Sequence, residues 1–261
     1  MTIITTFNDK LYNFSGKNLL KSIQKHLPNE KVIIYEEFTE PQREDEIILS
    51  EYELINIRSL NKLKEMLELH SNVIPKKFGG NATKKYGCKF WNKRWFGWFM
   101  KVLMTHDAIC NKNLNGFLVF VDSDIRFMKN FNDNTLTRLT NKKPISFFKG
   151  TRAEIESGLV VVDANRKESA EFYDRFMNLF ISGEFKKHNR WDDIWLMTQL
   201  IYFRDGKKVQ PEECFNDFAQ GKNTTHHTNS NQWKTNQIIN STEWNEYVEH
   251  DKGVHSIKKV L

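Results

Sequence analysis

Five apolar residues in a row, Phe117–Val121, lead directly into the polar sequence Asp122-Ser123-Asp124. A strand that is apolar on both faces predicts a central, buried place in a sheet. In open α/β sheets, ligands bind beyond the carboxyl ends of the strands. Two acidic side chains at that edge are suitable ligands for Mg²⁺ or Mn²⁺, which prefer carboxylate oxygens and keep water or phosphate oxygens as further ligands. The alternative interpretation is a polar turn that ends a strand, where Asp and Ser are common.

The preceding residues predict the opening of a parallel sheet. Thr2–Phe7 and Lys31–Tyr35 are typical of strands, and Gly16–His26 between them has the periodicity of an amphipathic helix. A strand–helix–strand order favours parallel pairing. The polar stretch Asn8–Ser15 is predicted to be a loop. Further strands are predicted at Glu53–Ile57, Pro144–Phe148 and Gly158–Val162, and further helices at Leu60–His70, Trp91–Ile109, Lys167–Ile181 and Asp192–Phe203.

Composition favours a folded α/β protein. The 261 residues suffice for one large α/β domain or two small ones, and 39% hydrophobic with 13% aromatic residues argue against disorder. No linker stands out, so 1–261 is predicted to be a single domain with an appended C-terminal segment. The three cysteines, Cys88, Cys110 and Cys214, show no C-x-x-C spacing, which argues against a disulfide framework or a zinc ribbon. With no signal peptide and no apolar span of about 18 residues, we expect a soluble cytoplasmic protein, and its frequent Lys, Asn and Ile fit a bacterial or viral source.

The net charge of +6 fits a phosphate-bearing ligand as well as simple solubility. No nucleic-acid reader motif accompanies the basic segment, so a nucleic-acid partner is not expected. That segment contains Lys76, Lys77, Lys84, Lys85, Lys89, Lys93 and Arg94. The absence of a G-x-G-x-x-G or G-x-S-x-G sequence argues against a dinucleotide-binding Rossmann domain and a serine hydrolase.

Several short motifs together resemble the GT-A glycosyltransferases of the nucleotide-diphospho-sugar transferase superfamily. Phe120–Asp124 is similar to the D-x-D motif of that family, with its apolar strand in front. Other matches follow in the family's order over nearly the whole chain. Ile3–Asn8 resembles the first strand and loop, which receive the nucleotide, and Lys101 resembles a lysine on the helix before the D-x-D strand. Glu156–Val161 resembles the later glycine-containing strand, and Trp191-Asp192-Asp193 resembles the acidic pair near the acceptor. The resemblance implies an α/β GT-A fold, with a mostly parallel central sheet flanked by helices.

The resemblance also implies a function, namely metal-dependent transfer of a hexose or pentose from a UDP- or GDP-sugar to a hydroxyl of a glycan or glycoconjugate. Residues 1–124 are expected to bind the nucleotide sugar and 125–261 to form the acceptor side, including a closing C-terminal segment. Mn²⁺ or Mg²⁺ would be bound by Asp122, Asp124 and His250, with His255 as the alternative histidine. The donor would contact Thr5, Thr6, Phe7, Asn8, Lys101, Asp122, Ser123 and Arg152. The Lys-Pro-Trp that follows His-x-x-Gly in one retaining family is missing, and Ser256-Ile257-Lys258 stands there instead.

Three acidic residues are implied to be catalytic. Asp193, and after it Asp192, would act as base toward the acceptor hydroxyl if the reaction inverts, or contact the donor sugar if it retains. Glu156 would hydrogen-bond sugar hydroxyls, since nearby Gly158 allows a close approach of the backbone. The structural alternatives are a helix N-cap for the aspartate pair and a surface position for Glu156. Lys101 could instead extend its stem over an apolar helix face.

Two rival functions remain open from the sequence. A phosphatase of the haloacid-dehalogenase type also has D-x-D after an apolar strand, with the first Asp as nucleophile. That motif normally lies near the N-terminus, whereas 121 residues precede Asp122 here and Ile125-Arg126 follows. A non-catalytic protein that binds carbohydrate or nucleotide sugar is the second rival, and it would be expected to lose acidic residues that this chain retains.

Overall fold

The computed structural model describes residues 1–38, 49–70, 95–112, 114–149, 155–188, 190–204, 207–208, 215–217 and 244–250. The strands are β1 (Thr2–Phe7), β2 (Lys31–Glu36), β3 (Glu53–Asn56), β4 (Phe117–Val121), β5 (Ile125–Phe127), β6 (Ile145–Lys149), β7 (Ile155–Asp163), β8 (Phe203–Arg204), β9 (Lys207–Lys208), β10 (Phe215–Asp217) and β11 (Val248–His250). The α-helices are α1 (Asp9–Leu11), α2 (Lys17–His26), α3 (Asn61–Leu69), α4 (Trp95–His106), α5 (Asp133–Leu139), α6 (Lys167–Ile181) and α7 (Asp193–Tyr202).

Seven strands form the central sheet in the order β10-β6-β7-β4-β1-β2-β3. Only β7 runs against its neighbours, because β4 and β6 both pair with it antiparallel while the other pairs are parallel. The predicted mostly parallel sheet is therefore confirmed. The exception has a consequence for the site: since β7 is reversed, its first residues lie at the edge where β1 and β4 end, with Leu159 opposite Val121.

The central strand β4 is buried on both faces, as its composition predicts. All five of its side chains are at most 9% exposed. Leu118 and Phe120 belong to the core formed with α4, α6 and α7. Phe117, Val119 and Val121 belong to the core on the opposite side, with α2 and α5. Burial of each such side chain contributes about 1.5–3 kcal/mol to the stability of the fold. Because its two faces belong to different cores, this one strand joins both layers of the fold.

The loop predicted at Asn8–Ser15 is wrong, because this stretch is helical. Helix α1 begins directly after β1, and a π-helical turn, Tyr12–Gly16, continues it into α2. The Asn8 side chain caps α1 by accepting a hydrogen bond from the Leu11 backbone N–H at 2.9 Å. Most of the stretch is polar, so it has no apolar period that would indicate a helix. The Asn8 cap and the packing against β1 stabilise the helical conformation instead.

The π-helical turn packs tightly against the end of β1. The Tyr12 ring is fully buried and lies 5.8 Å from the Phe7 ring, centroid to centroid. A Cβ at Gly16 would come within 2.9 Å of that Phe7 ring, so only glycine allows this close approach. The turn is thereby fixed beside the carboxyl edge of the sheet.

Helix α4 is anchored to the sheet at its C-terminal end. The predicted helix Trp91–Ile109 is described from Trp95 onward, and a π-helical turn, Asp107–Asn111, continues α4. The buried Tyr35 hydroxyl of β2 donates to the Asp107 carboxylate at 2.9 Å, and the Asn111 side-chain amide donates to the same group at 2.7 Å. Burial, together with the Asp107 charge, raises the pKa of Tyr35, so its hydroxyl remains a donor.

The described part of the C-terminal segment packs beside the D-x-D turn. Strand β11 pairs antiparallel with β5, so that the backbone of His250 lies opposite Ile125. Trp244, just before β11, is 1% exposed, and its ring meets that of Phe131 edge-on at 5.9 Å. The basic segment from Lys76 to Arg94 lies outside the described residues. None of the helices in the described part of the chain combines the length and hydropathy needed to cross a bilayer.

Candidate active site

The turn after β4 is fixed by both strands that flank β4. The Asp122 backbone N–H donates to the Gly158 carbonyl of β7 at 2.8 Å. On the other side, the buried Thr5 hydroxyl of β1 donates to the Val121 carbonyl at 2.9 Å. Backbone groups that would otherwise be unpaired at the strand end are therefore satisfied by neighbours. The position of the Asp122 backbone is set by the sheet and not by the turn alone.

The three residues of the D-x-D sequence have different surroundings. Asp122 and Asp124 are half-buried, whereas Ser123 is buried at 8% exposure. The turn closes with a hydrogen bond from the Ile125 backbone N–H to the Asp122 carbonyl at 3.1 Å. Ser15, in the first π-helical turn, donates its hydroxyl to the Ser123 hydroxyl at 2.9 Å. Ser15 was not predicted to belong to this region, because the contact spans 108 residues of sequence.

Lys101 of α4 connects two acidic parts of the site. Its ammonium lies 2.7 Å from Asp122 Oδ1, 2.9 Å from Asp122 Oδ2 and 3.6 Å from Asp193 Oδ2. Burial works against the charged ammonium, but the Asp122 and Asp193 carboxylates outweigh it and raise the pKa of Lys101. Burial also raises the pKa of Asp122, and the Lys101 charge opposes that shift. Lys101 is thus a charged member of the site, and its head group does not extend away from it.

Asp192 and Asp193 are adjacent in the sequence but have different contacts. Asp192 is the N-cap of α7, accepting from the Trp195 backbone N–H at 2.9 Å. Both of its carboxylate oxygens also bind Arg190, at 2.8 Å and 3.0 Å. With 1% exposure, Asp192 is committed to the protein's own structure. The N-cap alternative is therefore observed for this member of the pair.

Asp193, the first residue of α7, faces Lys101. Its Oδ2 accepts a hydrogen bond from the Ser157 hydroxyl of β7. Its Oδ1 is buried and has no hydrogen-bond partner among the described residues. Native proteins rarely leave a buried carboxylate oxygen unpaired, because losing water without a replacement is costly. Asp193 accordingly retains the capacity to accept a hydrogen bond from a ligand.

Ser157 is a second residue of this site that was not predicted from the sequence. It lies in the glycine-containing segment at the start of β7, next to Glu156, which was predicted to hydrogen-bond sugar hydroxyls. Ser157 is 5% exposed and holds one oxygen of Asp193. The next residue, Gly158, holds the backbone of Asp122. The sequence signal for Ser157 is a small hydroxyl residue beside a glycine in a predicted strand. Its role follows only from the reversed direction of β7, which brings Ser157 to the edge where β4 ends.

The residues predicted to contact the nucleotide lie at the end of β1. Thr6 donates its hydroxyl to the Tyr35 carbonyl at 2.7 Å, and Phe7 is fully buried. Together with the bonds of Thr5 and Asn8 given above, these contacts shape the edge of the sheet. Their contacts with a nucleotide stay a prediction.

Four predicted site residues lie wholly or partly outside the described residues. Arg152 and His255 are outside them entirely. For Glu156 and His250 the structure describes the backbone, in β7 and β11 respectively, but not the side chain. The backbone of Glu156 pairs with that of Phe148 in β6, just beyond an irregularity in the strand register.

Solved structures similar to this chain include two glycosyltransferases. Mouse xyloside xylosyltransferase 1 in its apo form matches with a TM-score of 0.50 and 12% identity, over 77% of this chain and 81% of that one. An active-site mutant of LgtC, a galactosyltransferase, matches with a TM-score of 0.51 and 11% identity, over 97% of this chain and 88% of that one. The chain has the GT-A fold. No protein-family model and no curated protein sequence matches the chain, so at these identities the GT-A assignment is a statement about architecture.

Proposed function

We propose that this protein is a metal-dependent glycosyltransferase, which moves a hexose or pentose from a UDP- or GDP-sugar to a hydroxyl of a glycan or glycoconjugate. The supporting observation is the meeting of Asp122, Lys101 and Asp193 at the edge where β4 ends and β7 begins. In a GT-A fold this edge follows the central strand, where α/β sheets bind their ligands. The proposal assigns the nucleotide-sugar to residues 1–124 and the acceptor to 125–261.

The residues at this edge fit a hard divalent cation. Asp122 and Asp124 offer half-buried carboxylates one residue apart, the ligand type that Mg²⁺ and Mn²⁺ prefer. Strand β11 brings the backbone of His250 opposite Ile125, the residue directly after Asp124. We therefore assign the cation to Asp122, Asp124 and His250. A bound Mn²⁺ or Mg²⁺ would offset the charge of the donor diphosphate and make it a better leaving group.

Asp193 is proposed to act on the acceptor. In an inverting reaction its carboxylate removes the proton of the acceptor hydroxyl as that oxygen bonds to the anomeric carbon, and the bond from that carbon to the diphosphate breaks. Ser157 holds Oδ2 and leaves Oδ1 for the acceptor. In a retaining reaction the same oxygen would contact the donor sugar. Lys101 offsets the negative charge that two carboxylates would otherwise concentrate in one place.

The test is a panel of nucleotide sugars, with and without Mn²⁺, measured by thermal stabilisation and then by transfer. A true donor at about 100 times its Kd should stabilise the folded protein by about 2.7 kcal/mol, and only when the metal is present. Asp124→Asn should abolish that metal-dependent shift. A phosphate trapped covalently on Asp122 would instead indicate a phosphatase. Sugar binding that ignores metal, without turnover, would indicate a binding protein.

A further inference from the structure

A second cluster of ligand atoms lies on the helical layer, apart from the carboxylates at the sheet edge. His106 ends α4, Cys110 belongs to the π-helical turn after it, and Asp174 lies on α6. One ligand atom from each of these residues lies within 4.8 Å of the other two. His106 Nε2 is 2.8 Å from Asp174 Oδ1, and the Cys110 thiol hydrogen-bonds the same carboxylate.

The helical geometry explains why these three side chains meet. His106 and Cys110 are four residues apart on one continuous helical segment, a spacing that puts side chains on the same face. The wider π-helical turn begins between them, and such turns frequently occur at functional sites. Helix α6 packs alongside α4, which brings Asp174 against that face. The cluster therefore has two possible ligands from one helical segment and a third from the neighbouring helix.

The chemistry of the cluster differs from that of the D-x-D turn. Imidazole nitrogen, thiolate sulfur and carboxylate oxygen together suit Zn²⁺ or Co²⁺, whereas Mg²⁺ and Mn²⁺ favour oxygen. A thiolate and a carboxylate would cancel the charge of a divalent ion. The His106 side chain is 6% exposed and the Asp174 side chain 58%, so the cluster is anchored at one end and open to solvent at the other.

We propose that His106, Cys110 and Asp174 bind one zinc-type divalent ion, with water as the fourth ligand. Binding involves no redox step. The Cys110 thiol releases its proton to solvent and bonds to the metal as thiolate. The Nε2 proton of neutral His106, which donates to Asp174 in the metal-free protein, moves to Nδ1, so that the Nε2 lone pair coordinates the ion. Asp174 exchanges its hydrogen bonds for a bond to the metal. Burial, with the Asp174 charge, raises the pKa of the Cys110 thiol to about 12, so the metal-free thiol stays protonated.

The ion would join the helix that bears Lys101 to its neighbour. His106 follows Lys101 by five residues, which is about 7.5 Å along the axis of α4. A metal bridge between α4 and α6 restrains α4 without reaching the sugar-transfer residues. The proposed role of the ion is to hold the two helices together, and it does not depend on the proposed transfer reaction.

Cobalt is the probe, because a cobalt–thiolate bond absorbs in the near ultraviolet and cobalt bound by oxygen alone does not. The metal-stripped full chain is titrated with Co²⁺, and we expect a thiolate band that saturates at one equivalent and a rise in Tm. Cys110→Ser should remove the band, while Cys88→Ser and Cys214→Ser should keep it. Asp174→Asn should weaken Co²⁺ binding by more than about 100-fold, the upper end of what loss of an outer partner costs.

Circular dichroism of each variant shows whether it is folded, so that a lost band can be attributed to a lost ligand. Asp124→Asn serves as the matched control, because it changes the proposed catalytic cation site and should leave the thiolate band intact. The proposal is overturned if the wild-type chain gives no thiolate band, or if the band survives Cys110→Ser. Neither result would bear on sugar transfer, which the nucleotide-sugar panel measures separately.

Discussion

Helix α4 contributes to two charged clusters that differ in almost every physical respect. At Lys101 the cluster is formed by an ammonium and carboxylates at the carboxyl edge of the sheet. At His106 it contains nitrogen, sulfur and oxygen ligands and opens to solvent through Asp174. The first has its own internal cation, and we propose that its oxygens bind a hard metal and a polar substrate. In the second, a histidine, a thiol and a carboxylate contact one another, and the thiol favours a softer ion.

The largest expected effect separates the two clusters by function. Asp124→Asn should lower transfer by roughly 1000-fold, because metal stabilisation of the leaving diphosphate contributes several kcal/mol. The Co²⁺–thiolate band of the helical cluster should be unchanged in the same preparation. Steady-state transfer and cobalt absorbance measure the two effects. Transfer near the wild-type rate would remove Asp124 from the metal site.

The next effect distinguishes the two neighbouring aspartates within the first cluster. Asp193→Asn should lower kcat by roughly 100-fold or more while nucleotide affinity stays nearly constant, since a general base acts only in the reacting complex. Asp192→Asn should instead lower the free energy of unfolding by about 1–3 kcal/mol, because it weakens the bonds to Arg190. Rate measurements and urea unfolding on both variants provide the comparison. Equal losses of rate and nucleotide affinity in Asp193→Asn would contradict its proposed role.

A smaller effect is expected at Ser157, which positions Asp193. Ser157→Ala removes one hydrogen bond to a charged group, worth about 1.5–3 kcal/mol, and should lower kcat by roughly tenfold or more. Ser157→Thr keeps the hydroxyl and should recover part of the rate. A purely structural role would instead lower Tm in Ser157→Ala without changing kcat.

The smallest effect on transfer is expected at the helical cluster. Cys110→Ser should leave kcat and the donor KM within about twofold of wild type, since Cys110 lies more than two helical turns along the chain from Lys101. Zn²⁺ should raise the Tm of the wild-type chain and not that of the variant. A large loss of transfer in Cys110→Ser would mean that the two clusters are coupled through α4.

Segments with a strong apolar pattern were predictable one element at a time. The strands Thr2–Phe7 and Phe117–Val121 were predicted with the observed bounds, and Lys31–Tyr35 falls one residue short of β2. The helix predicted at Lys167–Ile181 matches α6. In contrast, Asn8–Ser15 was wrongly predicted to be a loop, because a cap and one buried ring stabilise its helix and neither gives a periodic signal.

The candidate site was predictable in its charged residues but not in the hydroxyl residues that contact them. Asp122, Asp193 and Lys101 were identified from short motifs, and the structure brings them together. Ser15 and Ser157 were missed, because the contact each makes with the site crosses 108 and 36 residues of sequence. A serine hydroxyl can form hydrogen bonds in many kinds of site, so its role cannot be inferred until the residue it contacts in space is known.

The sequence by itself indicated a buried strand followed closely by two aspartates, since a short apolar run bounded by polar turns is typical of a central strand. The tertiary structure decided which carboxylate does what. Asp192 and Asp193 are adjacent and chemically identical, yet the start of α7 turns one toward Arg190 and the other toward Lys101. The difference arises because the reversed strand β7 and helix α4 bring Ser157 and Lys101 to Asp193. The pattern of residues along the sequence does not show in which direction these elements run.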